Sequence, residues 1–259
     1  MLKISNLSVG LKESNKQILY NIDLVFKPGE IHILNGHNGS GKSTLLGTIM
    51  GDPLFKILQG TIEIEGVYKD FVLRKIEESN ILKKDNRTAR IILNEIEPNI
   101  RSLLGIYLGF QYPVEVPGLS LLSYLRLIYN SGREAQDKMP FFKFKEYLLQ
   151  KASLLNYPID LLERNLNEGF SGGEKKKTEI LQMLVLEPQY IMLDEIDSGL
   201  DRKSTIDVFM ALKTFYSLHP NICFIIITHY DKVVEFLQPT YIHTFEKGKI
   251  IETKIYSKE

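Results

Sequence analysis

Apolar and polar residues alternate along the first part of this chain, and such alternation predicts half-buried strands. It covers 2–7 and 18–26, which a polar turn at 12–16 separates, so we expect an antiparallel pair at the start of the fold. A third alternating strand is predicted over 61–65. The charged segment 67–104 that follows favours helix, and we expect it to be mainly a surface excursion.

Further along, apolar residues form short unbroken runs, which are typical of parallel strands that helices cover on both faces. These runs lie at 190–193 and 223–228, and a further short apolar strand is predicted at 31–34. Over 119–162 the apolar residues instead recur at helical spacing, which predicts a small helical lobe with breaks at Pro140 and Pro158. Strands that alternate with helices indicate an α/β architecture.

The composition is that of an ordinary globular protein and suggests no partner through charge. Apolar residues make up 44% of the chain, charged residues make up 25%, and the formal net charge is +0. A neutral chain has no global field that attracts nucleic acid or an anionic membrane. No apolar stretch approaches the roughly 18 residues that a membrane-spanning helix needs. We therefore expect a soluble protein with neither nucleic acid binding nor direct membrane insertion.

The one cysteine, Cys223, lies inside an apolar run, where we expect it to be buried as a small hydrophobic side chain. One cysteine forms neither an internal disulfide nor a four-thiolate metal site. A reducing compartment therefore fits this chain best.

A phosphate-binding motif follows the run 31–34. The pattern G-x-x-x-x-G-K-[ST] occurs there, before a predicted helix that begins near Ser43. The glycines let backbone N–H groups close around phosphate oxygens, the helix start adds positive charge, and Lys42 neutralises the β and γ phosphates. We expect the loop to bind ATP and Ser43 to hold Mg²⁺. The residues assigned to the nucleotide are Gly36, His37, Asn38, Gly39, Ser40, Gly41, Lys42, Ser43 and Thr44.

An acidic pair, Asp194 and Glu195, follows the run 190–193, where a buried parallel strand leaves the sheet. A magnesium–nucleotide site needs a carboxylate at the metal and a group that positions the attacking water. We expect Asp194 to hold Mg²⁺ through water and Glu195 to polarise the nucleophilic water. Taken without the phosphate loop, the pair is equally typical of a strand that leaves the core for solvent.

Residues 170–174 read Phe-Ser-Gly-Gly-Glu, which resembles the signature of ABC ATPases. In that family the signature serine and the backbone beside it grip the γ-phosphate of ATP held by the opposing subunit. The resemblance implies an ABC ATPase nucleotide-binding domain, with a RecA-like parallel-sheet core, an antiparallel β subdomain and an inserted helical subdomain. The signature residues assigned to the nucleotide are Ser171, Gly172, Gly173 and Glu174.

Three further ABC motifs occur in the expected order. Gln111 matches the Q-loop, which implies contacts with nucleotide and Mg²⁺, and Asp201 closes a match to the D-loop. His229, after the last core strand, matches the switch histidine, and we expect it to be catalytic together with Glu195 and Lys42.

By the same resemblance, 1–259 is a single ABC ATPase domain. Segments 1–108 and 179–259 are expected to form the catalytic α/β lobe with its β subdomain. Segment 109–178 is expected to carry the Q-loop, the helical subdomain and the signature.

Two longer segments, 109–118 and 167–183, resemble the SufC family. SufC-like proteins are the ATPases of SUF iron–sulfur cluster assembly and work with the scaffold proteins SufB and SufD. The resemblance implies that two copies pair when ATP is bound and remodel the scaffold through 111–117. A single buried cysteine agrees with cluster thiolates supplied by a partner. SUF systems occur in bacterial cytosol and in plastids, and an Ile-, Lys- and Asn-rich chain favours an apicomplexan plastid.

Two other functions stay open. One is the nucleotide-binding subunit of a membrane transporter, which uses the same chemistry with a different partner. The other is a dimerisation switch in which ATP turnover is negligible.

The chain departs from the ABC pattern at several positions. His37 replaces the usual loop proline, and Lys177 stands where arginine is common. The turn 12–16 has no aromatic residue, although many ABC proteins stack adenine there. The lysines at 175–177 are expected to form a solvated helix face.

Overall fold

The computed structural model describes residues 1–14, 16–76, 80–85, 88–109, 113–228 and 232–256 of the 259-residue chain, without the side chains of 84, 85 and 232. Backbone contacts divide the chain into two compact units. The first comprises Met1–Leu108, Pro188–Asp194 and Pro220–Glu259, and the second comprises Gly109–Glu187 and Glu195–His219.

In the described part of the chain, the strands are β1 (Leu2–Leu11), β2 (Gln17–Phe26), β3 (Ile31–Asn35), β4 (Phe55–Val67), β5 (Ile81–Asp85), β6 (Thr88–Ile92), β7 (Ile106–Gly109), β8 (Val116–Ser120), β9 (Asn165–Leu166), β10 (Tyr190–Asp194), β11 (Cys223–Ile227), β12 (Tyr241–Glu246) and β13 (Lys249–Ile255). The α-helices are α1 (Lys42–Met50), α2 (Asp70–Leu73), α3 (Pro98–Leu103), α4 (Leu121–Ser131), α5 (Phe141–Ser153), α6 (Gly172–Leu186), α7 (Arg202–Leu218) and α8 (Lys232–Leu237). Short 3₁₀ helices cover Ala135–Asp137 and Ile159–Glu163.

The first unit contains a five-stranded antiparallel sheet in the order β2-β1-β4-β6-β5. The predicted antiparallel pair at the start of the chain is confirmed, since β1 and β2 pair from Leu2 opposite Phe26 to Gly10 opposite Gln17. The predicted strand over 61–65 is also present, although β4 is longer because it pairs with β1 from position 55 onward.

The segment 67–104 is more than a surface excursion, and this expectation is wrong. It supplies β5 and β6 to the sheet, and Ile91 and Leu93 are buried in the core. Arg101 is buried as well, and its desolvation lowers its pKa to about 10. Its guanidinium donates to the carbonyl oxygens of Leu93, Asn94, Ile96, Thr48 and Ile49. Arg101 is one of the charged residues that suggested an exposed segment, but backbone carbonyl oxygens inside the fold accept hydrogen bonds from its charged group.

The second sheet of the first unit is six-stranded, in the order β13-β12-β3-β11-β10-β7. Strands β12, β3, β11 and β10 are parallel. The parallel strands predicted from the apolar runs 190–193 and 223–228 are thereby confirmed, and β12 is a further strand that was not predicted. Leu34 pairs with Ile227, which pairs with Asp194, so these strands end at the same edge. Cys223 is buried as expected, and burial raises the pKa of its thiol.

The second unit consists mainly of helices α4 to α7, and the predicted helical lobe is confirmed. Pro140 immediately precedes α5, and Pro158 immediately precedes the second 3₁₀ helix, so both prolines interrupt the helices where expected. The unit also includes α7 and the end of α6, because these helices pack together. This differs from the expected lobe boundary after 178. Among the described helices, none is both long and apolar enough to cross a membrane.

Two buried histidines link β3 and β12 in the first unit. His32 Nδ1 lies 3.0 Å from His243 Nε2, His32 Nε2 lies 3.0 Å from Glu30 Oε2, and His243 Nδ1 lies 3.0 Å from Thr253 Oγ1. An ionised carboxylate only accepts, so His32 donates to Glu30, His243 donates to His32, and Thr253 donates to His243. Every ring nitrogen is satisfied while both histidines are neutral.

Burial opposes protonation of this pair. Desolvation lowers the pKa of His32 to about 3, and desolvation together with the neighbouring His32 lowers that of His243 to about 4. Both values lie below the unfolded value of about 6.5. The unfolded chain therefore binds more protons than the folded chain as the pH falls below 6.5, and stability is lost in that range.

We predict that the free energy of unfolding decreases from pH 6.5 to pH 4, with the two histidines contributing at most about 2.7 kcal/mol per pH unit. In His243→Gln, which keeps a donor toward His32, this slope should fall by about half. Denaturant titrations across the pH range measure it. The control is His219→Gln on the half-exposed His219, and an unchanged slope in His243→Gln would contradict the prediction.

Candidate functional site

The phosphate loop lies between β3, which ends at Asn35, and α1, which begins at Lys42. Gly36 has a φ of +139° and Gly41 has a φ of +107°. A Cβ at Gly36 would lie 2.3 Å from the carbonyl oxygen of Phe245, and a Cβ at Gly41 would lie 2.6 Å from Leu19 Cδ2. Both positions therefore require glycine, and the loop is pressed closely against its surroundings.

Lys42 is folded onto the loop itself. Its side chain is only 5% exposed, and Nζ donates to the carbonyl oxygens of Gly36 over 2.6 Å and His37 over 3.1 Å. Ser40 Oγ is buried without a hydrogen-bond partner among the described residues. The first turn of α1 contains no acidic residue. The loop combines the cation of Lys42, the unused hydrogen-bonding capacity of the Ser40 hydroxyl and the positive end of the nine-residue helix α1. These three features fit a phosphate chain.

The acidic pair follows β10. Asp194 is buried as the last residue of the strand, at the sheet edge where β3 leads into the phosphate loop. Glu195 has a φ of +48°, and its carbonyl accepts a hydrogen bond from Ser198 N–H. A residue with this left-handed backbone conformation does not continue an extended strand, so β10 ends at Asp194. Ser43, in the first turn of α1, is exposed and its hydroxyl is available for Mg²⁺.

The signature lies at the start of α6 in the second unit. Ser171 is the N-cap residue, and its hydroxyl accepts from Glu174 N–H while Glu174 Oε2 accepts from Ser171 N–H. These hydrogen bonds from Ser171 lower the pKa of the Glu174 carboxyl. A Cβ at Gly172 would meet nothing within 4 Å, so the backbone is open on that side. The helix start is thus capped and accessible.

The three lysines that follow the signature do not form a solvated face, and this expectation is wrong. Lys176 is only 5% exposed, and its Nζ lies 3.4 Å from Glu179 Oε2. Lys177 is largely buried with its Nζ 3.0 Å from Asp207 Oδ2 on α7. Only Lys175 reaches the surface, where it pairs with Glu115 over 2.6 Å.

The D-loop belongs to the same unit as the signature. Asp201 is the N-cap residue of α7 and accepts from Ser204 N–H over 2.7 Å, which lowers the pKa of its carboxyl. Leu200 Cδ2 would lie 3.6 Å from a Cβ at Gly173, so the D-loop approaches the start of α6. Gln111 and His229 lie outside the described residues.

The turn between β12 and β13 lies next to the phosphate loop, which the sequence did not predict. Gly248 N–H donates to the Ser40 carbonyl over 2.9 Å, and the Gly248 carbonyl accepts from Tyr20 N–H over 2.9 Å. The sequence signal, a glycine after Lys247, indicates a turn but not what the turn touches.

A family model described as ABC transporter matches residues 19–198, which span the phosphate loop, the signature and the acidic pair. This chain belongs to the ABC transporter family. It carries the ATPase domain of that family, which binds nucleotide and hydrolyses ATP.

Curated relatives extend the similarity over nearly the whole chain. The chain is 42% identical over 258 residues to the probable ATP-dependent transporter ycf16 of Antithamnion sp., covering 98% of this chain and 90% of the relative. It is 36% identical over 255 residues to ABC transporter I family member 6, chloroplastic, of Arabidopsis thaliana, covering 98% of this chain and 68% of the relative.

Solved structures agree on the fold. The dimeric structure of MJ0796, a bacterial ABC transporter cassette, superposes with a TM-score of 0.77 at 21% identity and covers 100% of both chains. The α/β ABC cassette predicted for this family member is thereby confirmed.

We predict that Gly36→Ala abolishes nucleotide binding and lowers the free energy of unfolding by about 3 kcal/mol, because the new methyl group meets Phe245 O and the φ is strained. Gly118→Ala is the matched control, since its φ is also positive but its surroundings are open. It should cost about 1 kcal/mol and leave binding unchanged. Calorimetric ATP titration and chemical denaturation measure both. Wild-type affinity in Gly36→Ala would rule out this account of the loop.

Proposed function

We propose that this chain is the ATP-hydrolysing subunit of a SUF-type iron–sulfur cluster assembly complex, in which it works with SufB and SufD. The observation that carries the proposal is a pair of contacts. Asn167 Nδ2 donates to the Val114 carbonyl over 2.8 Å, and Lys175 Nζ lies 2.6 Å from Glu115 Oε1. Each contact joins one of the two SufC-like segments to the other, 109–118 to 167–183.

The phosphate loop receives the nucleotide. Lys42 exchanges the carbonyl oxygens of Gly36 and His37 for oxygens of the β and γ phosphates. Bound Mg²⁺ would supply positive charge that offsets the charge of the phosphates. Ser43, Asp194 and Gln111 would hold it. The residues that the structure describes contain no group of three or more His, Cys, Asp or Glu suited to a metal.

Closure of two copies completes the site. Each ATP lies between Lys42 of one copy and Ser171 of the other, with the start of α6 directed at the γ-phosphate. The backbone at Gly172 and Gly173, with Glu174 held in the capping box, forms the rest of this surface. Asp201 lies at the start of α7 in the same unit and joins the interface through the D-loop.

Hydrolysis then proceeds by in-line attack of water on the γ-phosphorus. Glu195 accepts the proton of the attacking water as the new P–O bond forms. The bond to the bridging oxygen breaks, and ADP and phosphate are released. His229 contacts the γ-phosphate and stabilises its charge.

The coupling to the scaffold uses the contacts of Asn167 with Val114 and of Lys175 with Glu115. Val114 is 73% exposed and is the kind of apolar residue a partner covers. Asn167 and Lys175 tie this segment to the signature helix, so movement of Ser171 toward nucleotide displaces the surface on which SufB or SufD sits. We place the complex in the stroma of a plastid, such as that of an apicomplexan, or in bacterial cytosol, in line with the chloroplastic relative.

The alternative function, the nucleotide-binding subunit of a membrane transporter, is supported by the names of the relatives, which are called transporters. It uses the same ATP site with a permease as the partner. Co-purification of the tagged chain with a membrane permease, and failure to recover SufB and SufD, would favour this reading over the proposed one.

We predict that SufB–SufD from the same organism stimulates ATP hydrolysis and that Glu115→Ala reduces the stimulation at least 5-fold, because the ion pair with Lys175 is lost. Lys145→Gln is the control, since it removes an exposed ion pair of the same unit. Phosphate release with and without the scaffold measures the ratio. Full stimulation of Glu115→Ala would remove this segment from the coupling.

We predict that Glu195→Gln lowers phosphate release at least 100-fold while ATP binding is kept, because the amide cannot accept the proton. Glu163→Gln, at an exposed glutamate of the same unit, should retain activity. Rapid phosphate release by Glu195→Gln would exclude Glu195 as the base. If the wild type bound to its scaffold releases no phosphate, the ATP-dependent dimerisation switch is the better description.

A further inference from the structure

Strand β13 forms one edge of the six-stranded sheet in the first unit. In the part of the chain that the structure describes, β13 pairs with β12 and with no other strand. Its residues are exposed except for Ile250, which is partly buried. Ile251 is 59% exposed and Ile255 is 74% exposed. An exposed edge strand that carries apolar side chains is a template for pairing with another chain.

The hydrogen bonds between β12 and β13 show which backbone groups of β13 point away from the sheet. Tyr256 N–H donates to the Thr240 carbonyl over 3.0 Å. Hydrogen-bonded pairs alternate along an antiparallel ladder, so the next residues of β13 bonded to β12 are Lys254 and Glu252. The groups that point outward are the N–H and carbonyl groups of Thr253 and Ile255 and the carbonyl group of Ile251.

The sequence of this segment is complementary to itself when a second copy runs antiparallel to it. If Thr253 lies opposite the same residue of the other copy, Glu252 of each copy lies opposite Lys254 of the other. In the same register Ile251 lies opposite Ile255. A two-fold axis through Thr253 generates both sets of pairs, so one surface serves both copies. The hydrogen-bonded positions of this new ladder are the positions whose backbone groups point outward.

The charges on β13 select the antiparallel arrangement. The side chain of Lys254 is 65% exposed and that of Glu252 is 49% exposed. Both lie on the same face of the strand, with Lys254 Nζ 3.4 Å from Glu252 Oε2. Antiparallel pairing about Thr253 places unlike charges opposite each other, whereas parallel pairing in the same register would place like charges opposite each other. Unlike cross-strand charges stabilise a sheet and like charges destabilise it.

We propose that β13 is a homodimer surface at which two copies of this chain pair as antiparallel strands about Thr253. Two hydrogen bonds join Thr253 to Thr253, and two join Ile255 N–H to the Ile251 carbonyl. A register shift between Glu252 and Ile250 ends the regular ladder, so the interface is short. Association through so small an interface is weak and depends on protein concentration. It needs no nucleotide, because neither the phosphate loop nor the signature belongs to β13.

The test measures self-association of the nucleotide-free chain by sedimentation equilibrium, up to about 1 mM protein. We expect the average mass of the wild type to rise toward that of two chains. Lys254→Glu and Glu252→Lys each place like charges opposite each other, and each should raise the dissociation constant at least 10-fold. An equimolar mixture of these two variants restores unlike pairs and should associate as the wild type does. Lys56→Glu is the matched control, because it makes the same charge change at an exposed lysine on β4 and should leave association unchanged.

A wild type that remains a single chain at every concentration overturns the proposal. Association that both charge variants retain, or that their mixture does not restore, also overturns it, because the contact then lies on another surface.

Ile255→Pro provides a second check, because proline removes an outward N–H group without removing a hydrogen bond to β12. It should abolish association while calorimetric ATP binding, which reports the folded state, is unchanged. Lys42→Ala separates this surface from the ATP-dependent closure, because it should weaken ATP binding and leave nucleotide-free association unchanged. Loss of association in Lys42→Ala would contradict a surface confined to β13.

Discussion

Strand β3 lies between β12 and β11, and the phosphate loop takes its position from that pairing. Leu34 pairs with Ile227, so β3 ends at the edge where Asp194 also ends. The next residue after the strand, Gly36, passes over the carbonyl oxygen of Phe245 at a distance that no side chain permits. A change in the β3–β12 register would displace the loop, because Gly36 lies directly against the Phe245 carbonyl on β12.

The same pair of strands carries the buried histidines. His32 on β3 and His243 on β12 are both neutral. A chain of hydrogen bonds that begins at Thr253, passes through the two rings and ends at Glu30 leaves no ring nitrogen unsatisfied. Buried polar groups of this kind contribute to a unique strand pairing only when every member is satisfied. Acid conditions therefore act on the strands from which the phosphate loop begins.

In the second unit, the signature and the D-loop are held as one body. The starts of α6 and α7 approach each other at Gly173 and Leu200, and Lys177 pairs with Asp207 further along the two helices. The signature and the D-loop, which are proposed to meet the nucleotide of the opposing copy, are therefore connected by the contacts between α6 and α7. One of the four points at which the chain passes from one unit to the other lies between Asp194 and Glu195, where the backbone leaves the strand direction.

Local patterns in the sequence determined the strands at 2–7, 18–26, 31–34, 61–65, 190–193 and 223–228, the helical lobe and the phosphate loop, because alternation, helical spacing and glycine spacing act over a few residues. The signature was identified by its resemblance to a known family. The sequence could not show that 67–104 completes a sheet or that Lys176 is buried, because the carbonyls around Arg101 and the neighbours of Lys176 come together only in the fold. Tertiary structure also decided that Tyr20 and Gly248, which are 228 positions apart, border the phosphate loop together. Long-range pairing of strands places them there, and no local pattern encodes it.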